Sequence, residues 1–140
     1  MISVRGLASV YLLLVSLVSC ERAIDHKAIP GQWVLTPEAS EMLDIDAKAI
    51  RSVLRLRPDG RLEGKNLPGF LVHRAKGTTF SSTGIWRMSR LYGDRIDLTF
   101  DDRDVRLRPA LFFVERNGEL HLAMWLDEPD GTALLFRRVR

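Results

Sequence analysis

Short apolar segments separated by closely spaced turn signals constrain the fold of this chain more than any other feature. Pro58-Asp59-Gly60, Asn117-Gly118 and Pro129-Asp130-Gly131 are turn sequences of the kind that joins antiparallel strands. Between the turns, apolar and polar residues alternate, most clearly in Arg95–Phe100, whose apolar residues share one face. Turn signals recur about every 8–12 residues, which is typical of small all-β domains.

The pattern predicts an antiparallel meander of about eight strands closed into a barrel, with a two-sheet sandwich as the alternative. Thr36, Pro37 and Glu38 predict one short helix after the first strand, ending near Met42 or Leu43. The predicted strand segments are Gln32–Leu35, Ile50–Arg57, Arg61–Gly64, Ser82–Met88, Arg95–Phe100, Val105–Arg108, Leu111–Glu115, Glu119–Leu126 and Thr132–Val139. Lys65–Thr79 is predicted to be irregular, and residues 29–140 to form a single domain.

The composition is that of a soluble globular domain, and this domain must rely on its own core. The chain has 140 residues and one cysteine, so no disulfide can stabilise it. Its formal net charge is +3, and charged residues are evenly spread along it. The nearest approach to a basic patch is Arg137, Arg138 and Arg140. Nucleic-acid binding needs a more concentrated basic face, so we expect no nucleic-acid partner.

The start of the sequence has the layout of an export signal. Met1–Arg5 carries one positive charge, and Gly6–Ser19 is uncharged and mostly apolar. A membrane-spanning helix needs about 20 apolar residues, so this run is too short and has the size of a signal-peptide core. We expect residues 1–19 to be a signal peptide. An uncleaved anchor, or an ordinary secretory signal followed by an incidental cysteine, is the alternative.

The run ends in Leu17-Val18-Ser19-Cys20, which resembles the lipobox of bacterial lipoproteins at every position. The resemblance implies cleavage between Ser19 and Cys20, attachment of diacylglycerol to the Cys20 thiol and acylation of the new amino group. The product would be bound to the cell envelope by several acyl chains.

Residues 20–28 are then the lipidated cysteine and a short tether. The eight residues from Glu21 to Ala28 extend over at most about 28 Å, so the domain is expected to stay near the membrane. In many Gram-negative lipoproteins an aspartate after the cysteine retains the protein in the inner membrane. Glu21 stands there instead, which favours the periplasmic face of the outer membrane.

Gly31-Gln32-Trp33, followed by a short helix and a meander of hairpins, resembles the start of the lipocalin-like (calycin) barrels. The resemblance implies that Trp33 packs across the base of the barrel and that Arg137 or Arg138, from the last strand, covers it. The same tripeptide pattern recurs at Gly84-Ile85-Trp86, as in several small bacterial lipocalin-like lipoproteins of unassigned function.

No catalytic or metal-binding residue is predicted, and no cofactor is expected. His26, His73 and His121 lack metal-ligand spacing. Asp101, Asp102 and Asp104 suggest calcium binding, but no EF-hand pattern follows them, and a solvated turn is the favoured interpretation.

The aromatic residues supply the remaining candidate site. Trp33, Trp86, Trp125 and Phe112 are candidates for lining a small apolar cavity, although an eight-stranded barrel is narrow enough for side chains to fill it.

The leading hypothesis is a non-enzymatic envelope lipoprotein that binds a small apolar ligand or an envelope component. The alternative is a protein-partner role, such as inhibition of a cell-wall hydrolase or assistance to an envelope complex. A hydrolase, which would need a pair of carboxylates, is the third hypothesis.

Overall fold

Eight antiparallel strands form a closed barrel in a computed structural model that describes residues 26–89, 94–125 and 132–140. Each strand pairs with its neighbours in the sequence, and the first pairs with the last. The strands are β1 (Gly31–Leu35), β2 (Val53–Leu56), β3 (Arg61–Pro68), β4 (Thr79–Met88), β5 (Arg95–Phe100), β6 (Ala110–Arg116), β7 (Glu119–Trp125) and β8 (Thr132–Arg138). The predicted meander and barrel are confirmed, and the sandwich alternative is wrong.

The hairpin turns form where the sequence predicts them. Asn117 and Gly118 both have positive φ, at 53° and 75°, as a two-residue turn between twisted antiparallel strands requires. Gly60, at the end of the Pro58-Asp59-Gly60 turn, has a φ of 86°. The predicted turns at residues 91–94 and 129–131 lie outside the described residues, apart from Asp94.

The connection between β1 and β2 contains the predicted helix, α1 (Pro37–Met42). The Thr36 hydroxyl accepts a hydrogen bond from the Ala39 N–H at 3.2 Å, and Pro37 occupies the first turn, where no N–H donor is needed. In the described part of the chain, no helix has both the length and the apolar character to cross a membrane.

The irregular segment predicted at Lys65–Thr79 is shorter in the structure. β3 continues to Pro68 through a break in register between Gly64 and Leu67, and a 3₁₀ turn (Gly69–Val72) follows. The extra residues of such a bulge interrupt the two-residue alternation from which strands are predicted. Asn66 takes a φ of 51° there, which asparagine tolerates better than most residues.

The prediction of a strand at Val105–Arg108 is wrong. Residues 101–109 form an irregular connection in which Asp102 accepts hydrogen bonds from two following N–H groups. Its carboxylate binds the Asp104 N–H at 3.0 Å, and its carbonyl binds the Val105 N–H at 3.0 Å. An aspartate that accepts hydrogen bonds from nearby backbone N–H groups competes in this way with strand pairing. The alternation of apolar and polar residues gives no sign of such bonds.

The two ends of the barrel differ. The start of β1, the tight β2–β3 and β6–β7 turns and the end of β8 lie together at one end, which we call the base. The opposite end, the mouth, carries the longer connections, including α1, the 3₁₀ turn Gly69–Val72 and residues 101–109. The chain thus enters the barrel at its base.

Candidate functional site

Trp33 closes the base. Its side chain is fully buried, and its indole N–H donates a hydrogen bond to the Ile29 carbonyl at 3.1 Å. Its ring lies 6.2 Å from that of Phe113, measured between centroids. A 3₁₀ turn at His26–Ala28 leads into this arrangement, so the end of the expected tether has regular structure.

Of the two last-strand arginines, Arg138 is the one whose side chain covers the base of the barrel. It pairs across the strands with Trp33, and its guanidinium donates to the Pro30 carbonyl at 2.9 Å. A Cβ on Gly31 would stand 3.2 Å from that guanidinium, and Gly31 has a φ of +145°. The φ angle requires glycine before Gln32-Trp33, and the missing Cβ leaves room for the guanidinium. Arg137, the other candidate for this role, is exposed.

We expect Arg138→Met to lower the free energy of unfolding by about 1–2 kcal/mol, because the Pro30 carbonyl loses its charged donor while the apolar stem is retained. Urea unfolding followed by fluorescence measures the change. Arg137→Met, one residue away and exposed, is the matched control and should change stability by less than about 0.5 kcal/mol. Equal effects of the two substitutions would contradict the assigned role of Arg138.

The second Gly-x-Trp also acts near the base. The Trp86 indole donates to the Arg57 carbonyl at 2.9 Å, and the Trp86 backbone N–H donates to the Gly60 carbonyl at 2.8 Å. A Cβ on Gly84 would overlap the carbonyl oxygen of Thr99 on β5. Gly84 therefore permits the close approach of β4 to β5. The two hydrogen bonds of Trp86 hold the β2–β3 turn against β4.

The structure does not bring all four cavity candidates together. Trp33 is fully buried in the barrel and Trp86 packs against the core while partly exposed, but Phe112 lies on the opposite face of β6 from the buried Phe113. Trp125 ends β7, and its side chain falls outside the described residues, as do residues 17–20 of the lipobox.

Much of the interior that can be described is closely packed. A side chain with no accessible area borders no space large enough for a water molecule. Such side chains come from seven of the eight strands, all except β4, which supports a filled core around them. They are Trp33, Leu54, Leu67, Ile96, Leu98, Leu111, Leu122, Ala123 and Phe136.

At the mouth, an aromatic pair stands where β4 begins and β5 ends. The rings of Phe80 and Phe100 meet edge to face, with centroids 5.1 Å apart. The Arg74 guanidinium lies 5.6 Å from the Phe80 ring centroid, a cation–π arrangement that covers the pair from the β3–β4 connection.

A groove of about 550 Å³ lies outside the barrel, on the outward face of β1, β2 and β3. We call it the outer groove. Its lining residues are Gln32, Ala49, Arg51, Val53, Arg55, Glu63, Lys65 and Asn66. It thus contains three cationic side chains and one carboxylate.

The charges in the outer groove are accessible. Arg55 stands 3.9 Å from Glu63, and both side chains are about half exposed, at 57% and 50%. Glu63 also lies 3.9 Å from Arg57, which stands beside Asp59. Ion pairs this long and exposed contribute little stability, so these cations can exchange partners at small cost.

Sequence reasoning missed the outer groove because its residues lie far apart in the chain. The cross-strand register joins them: Gln32 pairs with Arg55, Arg55 with Glu63, and Val53 with Lys65. The bulge at Asn66 then turns that side chain toward the Arg51 carbonyl, at 3.5 Å.

The histidines and the acidic turn do not form a metal site in the described region. No group of three or more histidine, cysteine or acidic side chains there is arranged to hold a metal ion. His73 is exposed, while His121 is buried and has its Nδ1 3.1 Å from the Glu119 carbonyl oxygen. The Asp101 carboxylate accepts a hydrogen bond from the Thr83 hydroxyl at 2.7 Å.

No family model, curated protein or solved structure matches this chain significantly.

Proposed function

We propose that this protein is a lipid-anchored, non-enzymatic component of the bacterial cell envelope that binds an anionic group of another envelope component in the outer groove. The observation that carries the binding role is the cluster of Arg51, Arg55 and Lys65 around one accessible groove with a single carboxylate. The resemblance of residues 17–20 to a lipobox supports the proposed attachment to a membrane.

The chemistry of the groove favours phosphate or carboxylate as the bound group. Arginine presents a planar fork that matches both anions, and charge-assisted hydrogen bonds are the stronger ones in proteins. The Asn66 amide adds a neutral donor at the same wall. Three cations facing one half-exposed carboxylate leave a surplus of positive charge for a ligand.

The packed interior gives less support to an apolar ligand inside the barrel. The fully buried side chains border no water-sized space, so a small molecule beside them would require repacking of the core. The outer groove needs no such rearrangement, because its walls already stand apart. A protein partner with an acidic surface is compatible with the same groove, as in the alternative of an accessory to an envelope complex.

Titration with inorganic phosphate and with acetate tests the proposal, with backbone amide shifts of the processed protein in micelles as the readout. We expect shifts confined to the outer groove. The double substitution Arg55→Gln and Lys65→Gln should weaken binding at least about ten-fold, because each lost charge-assisted bond contributes roughly 1.5–3 kcal/mol.

Arg103→Gln with Arg106→Gln is the matched control, since both arginines are exposed near the mouth and the change in net charge is the same. It should leave anion binding unchanged. Shifts spread over the whole surface, or equal weakening by the two double variants, would refute the groove. Mass spectrometry of lipids and proteins that co-purify with each variant from its own membrane then identifies the component.

A further inference from the structure

We infer that the base of the barrel docks on a bilayer that contains anionic phospholipids, with Arg137, Arg138 and Arg140 facing the lipid phosphates. These three residues are called the basal arginine surface below. The inference rests on the proposed lipid anchor at Cys20, and it goes further by fixing how the anchored domain is oriented.

The basal arginine surface borders a groove of about 360 Å³. The groove is lined by Ala28, Gly118, Glu119, Leu120, Arg137, Arg138, Val139 and Arg140. Ala28 is the last residue of the tether, so the chain that leads to Cys20 departs from the wall of this groove. The point at which the tether joins the domain and the arginines therefore share one end of the barrel.

The charges suit a negatively charged surface. Glu119 is the only acidic residue in the wall of the groove, among the residues that the structure describes. Arg137 and Arg140 are exposed, and no ion pair joins either of them to a carboxylate in the described ranges. Arg138 binds the Pro30 carbonyl through Nη2, which fixes its guanidinium at the same end.

The short tether makes docking effective. With at most about 28 Å between Ala28 and Cys20, the base cannot move far from the headgroups, and tethering raises the local concentration of lipid phosphate. The carboxylates of Asp101, Asp102 and Asp104 lie in the mouth-side connection, so docking through the base also keeps these acids away from the anionic surface. The outer groove, on the side of the barrel, stays open to the aqueous phase.

Site-specific fluorescence on the lipidated protein in vesicles tests the inference. Because Cys20 is the only cysteine and its thiol carries the lipid, a cysteine introduced by Glu115→Cys near the base or by Asp104→Cys near the mouth can be labelled alone. The probe is read against a quencher attached to lipid headgroups. Vesicles of neutral phosphatidylcholine are compared with vesicles that also contain phosphatidylglycerol.

We expect strong quenching of the base probe, weak quenching of the mouth probe, and a difference that grows with phosphatidylglycerol and falls with salt. Arg137→Gln with Arg140→Gln should lower the equilibrium constant for the docked orientation about thirty-fold, since each arginine near an anionic surface contributes about a five-fold factor. The Arg103→Gln and Arg106→Gln control should leave it unchanged.

The mass of the reconstituted protein distinguishes a failure of the docking inference from a failure of the proposed lipid anchor. If Cys20 carries lipid and the protein floats with the vesicles, but both probes are quenched equally whatever the lipid charge, docking is refuted while the anchored role stands. If the mass shows an unmodified Cys20, the anchor and the docking inference fall together, and anion binding in the outer groove is still judged by its own titration.

Discussion

Replacing Trp33 with alanine is expected to lower the free energy of unfolding by about 3–5 kcal/mol, the range for removing a large buried aromatic side chain. Trp33 has no accessible area, contacts Phe113 and binds the Ile29 carbonyl. Its loss leaves a cavity at the base and an unpaired buried carbonyl. Because small domains have only about 5–15 kcal/mol of stability, much of the total would be lost.

Urea unfolding measured by circular dichroism gives the value. Trp33→Phe separates the two contributions, since it retains most of the buried ring and removes the indole donor, and it should cost an intermediate amount. Ile85→Ala is the control for an apolar side chain on the outside, because Ile85 is 54% exposed and should change stability by less than about 0.5 kcal/mol. If Trp33→Ala lowers the free energy of unfolding no more than Ile85→Ala does, Trp33 does not stabilise the base of the barrel.

The barrel was predictable because its local signals agree with one another. Asn117-Gly118 and Pro58-Asp59-Gly60 specify tight turns, and the alternation in Arg95–Phe100 specifies which face is buried. A meander needs little more than these local rules, since each strand pairs with the next one. Closure follows from the pairing of β1 with β8, which the resemblance to lipocalin-like barrels implied.

Where several apolar residues are consecutive, the sequence could not decide which ones face inward. Leu111-Phe112-Phe113 fits a strand in either register, and Phe112 is one of the four predicted cavity residues. The pairing of Phe113 with Leu122 places Phe113 inside, against Trp33. A shift of one residue reverses every side chain of a strand, so only the partner strand determines this choice.

The outer groove could not be predicted for a different reason. Its cations are ordinary outward-facing residues of strands with one buried face, and nothing in their spacing marks a site. Arg55 comes close to Glu63 only through the β2–β3 register, and the break in register after Gly64 sets the position of Asn66. Such a site arises from tertiary geometry, which sequence periodicity does not encode.

Replacing Cys20 with alanine is expected to abolish lipid attachment, because the thiol is the only nucleophile of its kind in the chain. Residues 1–19 should then stay on the protein, since in proteins with a lipobox cleavage follows lipid attachment. Fractionation alone is a poor measurement, because an uncleaved Gly6–Ser19 still favours the membrane.

The informative measurements are incorporation of labelled palmitate and the mass of the intact protein. Wild-type protein should lose residues 1–19 and gain acyl chains, each buried CH₂ of which contributes about 0.8 kcal/mol to anchoring. Ser19→Ala keeps a small residue before the cleavage site and should be processed normally, so it controls for damage to the leader.

If Cys20→Ala is cleaved and acylated like the wild type, the lipobox interpretation fails, and with it the reason to place the base of the barrel against a membrane. If only wild type and Ser19→Ala are acylated, the tether length becomes a real constraint that holds the outer groove close to the bilayer.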